Sequence, residues 1–306
     1  MVVAVIHDGG RCERDRPTVC TGEGIAVGRR LAALGPDRPD VYVMGHAHVN
    51  LALDLDGMPA VEPTSSGRAI VVVDVPLGGG RAEMAVRPVR GDAVAGADPA
   101  VDSVVKAALA RVEAKVQEPV AAIAAPLRRT GQQHALGNLL ADAARVMGSA
   151  DFAAWNNGGM RADIDAGPLR FGGVHEVTPF GNTLVRLRVR GRDLAPVFER
   201  GLFSGRADLH VSGLRIEFDP ARPRGQRITR LTLGDGAPIE PDRIYTLVQN
   251  NFMVEDEYLE SLRAAISTEY LPIRDSDMLA EYLRRQPQPV RGDDAPRVLA
   301  IPSRSN

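Results

Sequence analysis

Two continuous apolar runs most constrain the start of this chain: Val2 to Ile6, which stops at His7, and Asp40 to Met44, which stops at Gly45 and His46-Ala47-His48. Apolar runs without polar alternation suit buried strands that end at a functional edge, and the helical spacing of Glu23 to Leu34 between them reads as α/β material. Ala69 to Val75 adds a further apolar strand, followed by the turn-forming Gly78, Gly79 and Gly80. From Val101 the period changes. Val101, Val104, Val105, Ala108, Leu109, Val112 and Val116 recur at helix spacing until Pro119 stops the pattern, which predicts a helix between two domains. The stretch GDAVAGADPA ahead of it places a boundary near residue 97.

Beyond that helix the pattern is α+β. Leu136, Leu139, Leu140, Ala143 and Met147 define an amphipathic helix, and Phe152 to Trp155 a short buried strand running into the loop Asn156-Asn157-Gly158-Gly159. Val185, Leu187 and Val189 alternate with Arg186, Arg188 and Arg190, the period of a half-exposed strand. Further strands are expected at Leu214 to Phe218, Ile228 to Leu233 and Tyr245 to Val248, and Asp275 is placed to cap a helix carrying Met278, Leu279, Tyr282 and Leu283. After Arg285 the proline-rich, charged sequence predicts an irregular end.

Composition narrows the function classes. The 306 residues carry 37 basic and 39 acidic side chains, interspersed and nearly balanced at a formal charge of -2, which disfavours a nucleic-acid footprint. No run approaches the ~20 apolar residues of a membrane span, and the opening MVVAVIHDGG has no signal-peptide pattern. Cys12 and Cys20 stand eight positions apart, a spacing compatible with a disulfide or with two free thiols.

His7, His46 and His48 all sit at strand ends, where open α/β sheets place ligands. Each alone reads as a polar loop histidine, whereas three together read as metal ligands. In an extended chain the i, i+2 spacing would send His46 and His48 to one side. The runs VVAVIHDGG, DVYVMGHAH and SSGRAIVVVDV resemble the last third of a calcineurin-like metallophosphatase domain. The resemblance implies that His7 and His46 hold one divalent ion, zinc or manganese, and that His48 holds its neighbour. That family's domain opens with D-x-H, G-D and G-N-H-[DE] segments, and only six residues precede His7. Two-metal hydrolysis needs both ions about 3.5–4 Å apart. No complete catalytic set is therefore expected in this chain.

Four motifs further on, LGNLLADA (136–143), ADFAAWNNGGMRADI (150–164), TPFGN (178–182) and NNF (250–252), resemble the 5'-nucleotidase C-terminal domain in kind and order. The resemblance implies that Phe180 and Phe252 stack on a base, and stacking is worth about 1–3 kcal/mol per base and tolerates different bases. Asn182 would offer its amide to the base edge, and Arg161 a fork to a ribose hydroxyl or phosphate oxygen. Arg129 matches an arginine that family members direct at substrate. Where the family continues into a glycine-glycine-aspartate turn this chain reads MVEDEYL, so Asp256, with Glu255 second, is the candidate for the ribose hydroxyls. His134 and His175 read as structural or exposed, and Leu136 to Ala143 as packing.

The expected architecture is α/β plus α+β: a metallophosphatase remnant over 1–97, a linker helix over 98–119, a 5'-nucleotidase C-terminal domain over 120–290 and a tail over 291–306. The expected function is 5'-nucleotidase-type hydrolysis of nucleotide phosphomonoesters with two metal ions, with low activity in this chain alone. The alternative is a non-catalytic nucleoside-binding module, or half of a split enzyme whose partner supplies the other half. The resembling family is mostly exported.

Overall fold

The computed structural model describes residues 1–16, 19–76, 78, 80–90, 96, 98–257 and 259–301, the side chains of 203, 204, 256, 257 and 259 excepted. The chain divides into two compact units, Met1–Ser103 and Val104–Asn306.

The first unit comprises β1 (Val3–Val5), β2 (Arg11–Cys12), β3 (Cys20–Thr21), α1 (Glu23–Ala32), β4 (Val41–Val43), β5 (Leu51–Leu55), β6 (Met58–Glu62), β7 (Ala69–Asp74) and β8 (Glu83–Pro88). Its sheet runs β1-β4-β6-β5. β1, β4 and β6 are parallel, and β5 returns antiparallel to β6. A parallel pair needs a crossover, which α1 supplies between β1 and β4. The helix packs close because Gly28 faces the strands: a Cβ there would stand 2.8 Å from the Tyr42 ring and 2.7 Å from Leu55. Ile25, Tyr42, Met58 and Ala60 form the core. Cys12 and Cys20 are joined by a disulfide across the β2/β3 pair. The run Val2 to Ile6 is not buried on both faces as expected. β1 is an edge strand, and Val3 and Val5, on one face of it, are exposed.

The boundary between the units falls within α2 (Pro99–Val116), which buries none of its residues despite its apolar spacing. The stretch GDAVAGADPA lies mostly outside the described residues.

The second unit continues with β9 (Pro119–Ile123), α3 (Ala135–Met147), β10 (Phe152–Asn156), β11 (Gly167–Arg170), α4 (Phe171–Val177), β12 (Thr183–Arg190), α5 (Leu194–Glu199), β13 (Leu209–Ser212), β14 (Leu214–Phe218), β15 (Ile228–Leu233), β16 (Ile244–Asn250), α6 (Leu259–Ala264), β17 (Ala265–Arg274), α7 (Asp275–Arg284) and β18 (Val298–Ala300). Its central sheet runs β13-β10-β16-β12-β17. β10 lies parallel to β16 and the other pairs are antiparallel. One face packs on α3, α4 and α7, and the other on α5, β14 and their neighbours. β10 is therefore buried on both sides, Ala153 and Trp155 in the first core and Phe152 and Ala154 in the second, which is why it reads as an unbroken apolar run. On β12 Val185, Leu187 and Val189 are buried, while Arg188 is exposed and Arg186 pairs with Glu269 on β17 at 2.7 Å.

Within the stretch expected to be an irregular tail, the described residues up to 301 include a paired strand and a part-buried anchor. β18 lies parallel to β14, and Arg297 ahead of it holds Asp142 of α3 with two hydrogen bonds of 2.6 and 2.9 Å. Proline and charge obscured a strand of three residues whose register depends on a distant partner.

Candidate functional site

β12 and β16 pair antiparallel with Leu184 opposite Asn250, so the turn entering β12 and the turn leaving β16 emerge at one end of the sheet. Side chains stitch these turns together. Asn251 Oδ1 accepts from the Thr183 amide at 2.9 Å, and Asn250 Oδ1 accepts from the Met253 amide at 2.8 Å. Asn250 Nδ2 in turn donates to Asn156 Oδ1 at 3.2 Å, which brings the end of β10 to the same place. At this convergence stand two phenylalanines that the core has not taken up: Phe180 is 55% exposed and Phe252 43%.

The loop after β10 turns on Gly159, where a Cβ would meet Asn156 Oδ1 at 2.8 Å and Trp155 Nε1 at 2.9 Å. Only glycine fits so close an approach. The Arg161 amide then donates to the Val177 carbonyl at 2.8 Å, and the exposed guanidinium stands 5.8 Å from the centre of the Phe180 ring. Arg129 is held otherwise: it donates to Asp163 Oδ1 at 2.9 Å and to the Met160 carbonyl at 3.0 Å, so its side chain braces the loop that carries Arg161. The same guanidinium holds the Asp163 carboxyl below its ordinary range.

Asn182 keeps a half-buried side chain while its backbone is gripped from both directions by Asp275. Its amide donates to Asp275 Oδ2 at 3.2 Å, and its carbonyl accepts from the Asp275 amide at 2.8 Å. Asp275 is therefore not the side-chain cap that its place in the sequence suggests. It is the first residue of α7, and its carboxylate, fully buried, serves Asn182 and the amide of Ser276. Burial raises this carboxyl to about 6. Asp256 falls in the helical turn Met253–Glu257, and its side chain lies outside the described residues. Glu255 accepts from Asn251 Nδ2 at 3.3 Å.

Behind the loop lies a buried polar cluster that sequence reasoning missed. His210, on β13, places Nδ1 3.2 Å from Asn138 Oδ1 and Nε2 3.1 Å from Asn157 Oδ1. Asn138 Nδ2 spends both hydrogens on the carbonyls of Asp293 and Ala295, at 2.9 and 3.0 Å, so its oxygen must face the imidazole and Nδ1 must carry a proton. His134 accepts from the Gly137 amide at 3.1 Å and caps α3, the structural role expected of it, and its ring lies 4.3 Å from that of His210. Burial, with the charges of His134 and Arg297, pushes His210 down to about 3. His175 is exposed, as expected.

In the first unit His46 Nδ1 and His7 Nε2 lie 3.3 Å apart, with the rings edge to face. His48 does not join them. His46 and His48 both take left-handed backbone angles, φ 75° and 58°, so the segment is not extended and the expected common side for the two rings is lost. His46 lines a cleft of about 320 Å³ with Asp8, Gly22 and Glu23, whereas His48 lines another of about 690 Å³ with Arg11 and Asn50. Glu62 is enclosed behind the Gly9-Gly10 turn, with Oε2 taken by the Gly10 amide at 3.2 Å and Oε1 without a partner among the described residues. A nitrogen separation of 3.3 Å suits two ligands on one tetrahedral ion at about 2.0–2.1 Å each. Among the described residues, however, no group of three or more His, Cys, Asp or Glu could hold a metal. Two imidazoles do not fit the pair of ions that the resemblance implied.

Residues 112–259 match the family model described as "5'-nucleotidase, C-terminal domain". The endonuclease YhcR of Bacillus subtilis is 30% identical over 167 residues, which cover 51% of this chain and 13% of that protein. Protein UshA of Yersinia enterocolitica is 30% identical over 162 residues, covering 50% of this chain and 28% of that protein. The chain thus spans less than a third of these relatives' length. The solved structure of a 5'-nucleotidase precursor from Thermus thermophilus superposes with a TM-score of 0.73 at 20% identity, covering 92% of this chain and 68% of its own, and so shares the fold. No helix among the described residues is long and apolar enough to cross a membrane. In motifs, mixed α/β fold and family match alike, residues 112–259 of the second unit are thus similar to the 5'-nucleotidase C-terminal domain.

Proposed function

We propose that the second unit binds the nucleoside part of a nucleotide, and that the chain serves 5'-nucleotidase-type hydrolysis of phosphomonoesters. The observation that carries this reading is the pair of solvent-exposed phenylalanines on two turns joined by the Thr183–Asn251 hydrogen bond. A monomeric domain gains nothing in stability from leaving such rings in water, whereas a flat base gains a stacking surface from each. Phe180 and Phe252 stack on the base and set its plane. The Asn182 amide, both donor and acceptor, reads its edge. Arg161 leaves Phe180 when the base arrives and turns its fork to a ribose hydroxyl or phosphate oxygen. Arg129 holds the Met160–Asp163 segment, and so fixes where Arg161 starts. Asp256, with Glu255 second, accepts from the ribose hydroxyls.

His7 and His46 are proposed as nitrogen donors to one divalent ion, zinc or manganese, with His48 apart from them. A donor pair without a carboxylate does not supply what two-ion water activation requires, so no chemical step is assigned to it. Calorimetry with adenosine tests the recognition, and AMP turnover with added zinc or manganese tests the chemistry. Adenosine binding that weakens in Phe252→Ala supports the reading, and absence of binding at millimolar ligand overturns it. Turnover lost in His46→Ala assigns hydrolysis to this chain, whereas binding without turnover assigns it the role of a nucleoside-binding module.

A further inference from the structure

The two-way grip on Asn182 has a consequence for ligand binding. The carboxylate of Asp275 offers separate oxygens to two amides, Oδ1 to Ser276 at 2.8 Å and Oδ2 to Asn182 at 3.2 Å, and its own amide reaches the Asn182 carbonyl at 2.8 Å. Asparagine in its place would have one acceptor oxygen and would turn an NH2 toward one of those amides. Only an ionised carboxylate satisfies both, yet the side chain is fully buried, where charge is costly. The turn it holds bears Phe180, Gly181 in the left-handed region at φ 68°, and Asn182. We infer that Asp275 is the positioning residue of the nucleoside site, its ionised carboxylate holding the Phe180-Gly181-Asn182 turn in the shape that accepts a base.

This rests on the nucleoside reading of the site. It adds that binding is linked to the charge on a group that touches no ligand. Burial raises the Asp275 carboxyl to about 6, and His175 on α4 partly offsets that. Of the other elements packed on α7, β9 carries no charged residue, and the charged side chains of α3, Asp142 and Arg145, are engaged by Arg297 and Ser212. Glu269 of β17 pairs with Arg186, and Arg274, Asp277 and Glu176 are exposed. A proton on Asp275 turns one of its oxygens into a donor, so the Asn182 amide loses its acceptor as pH falls and the turn loosens. The sign for stability is the opposite. A raised carboxyl contributes stability that is present below its unfolded value and lost as pH rises through about 6.

The test is Asp275→Asn in the full chain, with adenosine calorimetry at pH 7.5 and 5.0, a thermal midpoint at pH 7.5, and hydrogen exchange at the Asn182 amide. At pH 7.5 the variant is expected to bind adenosine roughly 10- to 100-fold more weakly, the scale of losing one good hydrogen bond to a charged acceptor. Its midpoint should be unchanged or higher, because a buried charge is gone, and a purely structural role would lower both together. Wild type should lose affinity between pH 7.5 and 5.0, and the variant should not. Equal affinity for wild type and variant at both pH values overturns the inference. If wild type binds no adenosine at all, the nucleoside reading fails by itself, and the exchange rate then decides: an Asn182 amide protected in wild type and open in the variant upholds the clamp, and equal protection removes it.

Discussion

Replacing Phe180 by alanine separates binding from folding, because the ring does little for the fold. Full burial of a phenylalanine side chain is worth about 1.5–3 kcal/mol. With 55% of Phe180 already in water, less than half of that is at stake, about 1 kcal/mol, or a fall of about 2–4 °C in the midpoint of a domain this size. A lost base stack costs about 1–3 kcal/mol, which is about a 5- to 150-fold rise in Kd. The guanidinium of Arg161, 5.8 Å from the ring, moderates this slightly, since wild type gives up a cation–π contact of about 0.5–1 kcal/mol on binding. Calorimetry with adenosine and scanning calorimetry on the same samples give both quantities. An affinity within twofold of wild type refutes stacking on Phe180. A midpoint lowered by more than about 10 °C would show the ring to be core, contrary to its exposure.

Three other outcomes follow from the buried parts of the molecule. Gly137→Ala should destabilise the second unit by about 1–3 kcal/mol, because its Cβ would lie within 2.2–2.3 Å of the His210 ring, and a chemical denaturation midpoint equal to wild type's refutes this. His210, pushed down to about 3, stays neutral in the fold while the unfolded chain takes up a proton below about 6.5. Its contribution is therefore present above 6.5 and lost as pH falls toward 3, on the order of 4 kcal/mol, so His210→Asn should flatten the acid limb of the stability profile. An NMR titration placing His210 near 6.5 would contradict it. Reducing the Cys12–Cys20 disulfide should destabilise the first unit by about 2–3 kcal/mol through the short loop it closes, leaving the second unit's midpoint unchanged.

Where neighbours in sequence are also neighbours in space, the residues were legible. The alternation of Val185, Leu187 and Val189 with arginine follows from the pleat of one strand, and the apolar spacing of Leu136 to Met147 from the pitch of one helix. Phe180 and Phe252 drew attention because turn residues surround them, and turns keep their side chains near solvent. Misreadings came where a partner distant in the chain decides. Val3 and Val5 read as buried, but a strand's burial depends on what covers its sheet, and β1 is an edge. His46 and His48 read as aligned on an extended segment, but both take left-handed backbone angles and they line different clefts.

The same division separates the composition of the site from its arrangement. Local pattern and the order of four short motifs point to the resembling domain and to the aromatic, amide and guanidinium groups of the proposed site. Those depend on residue type and on spacing along one element. That Asp275 would grip Asn182 across 93 positions, or that His210 would sit between Asn138 and Asn157, could not be read ahead of the fold. A buried polar group finds its partner through sheet register and helix packing, and nothing in the residue itself says which distant amide will be brought within 3 Å of it.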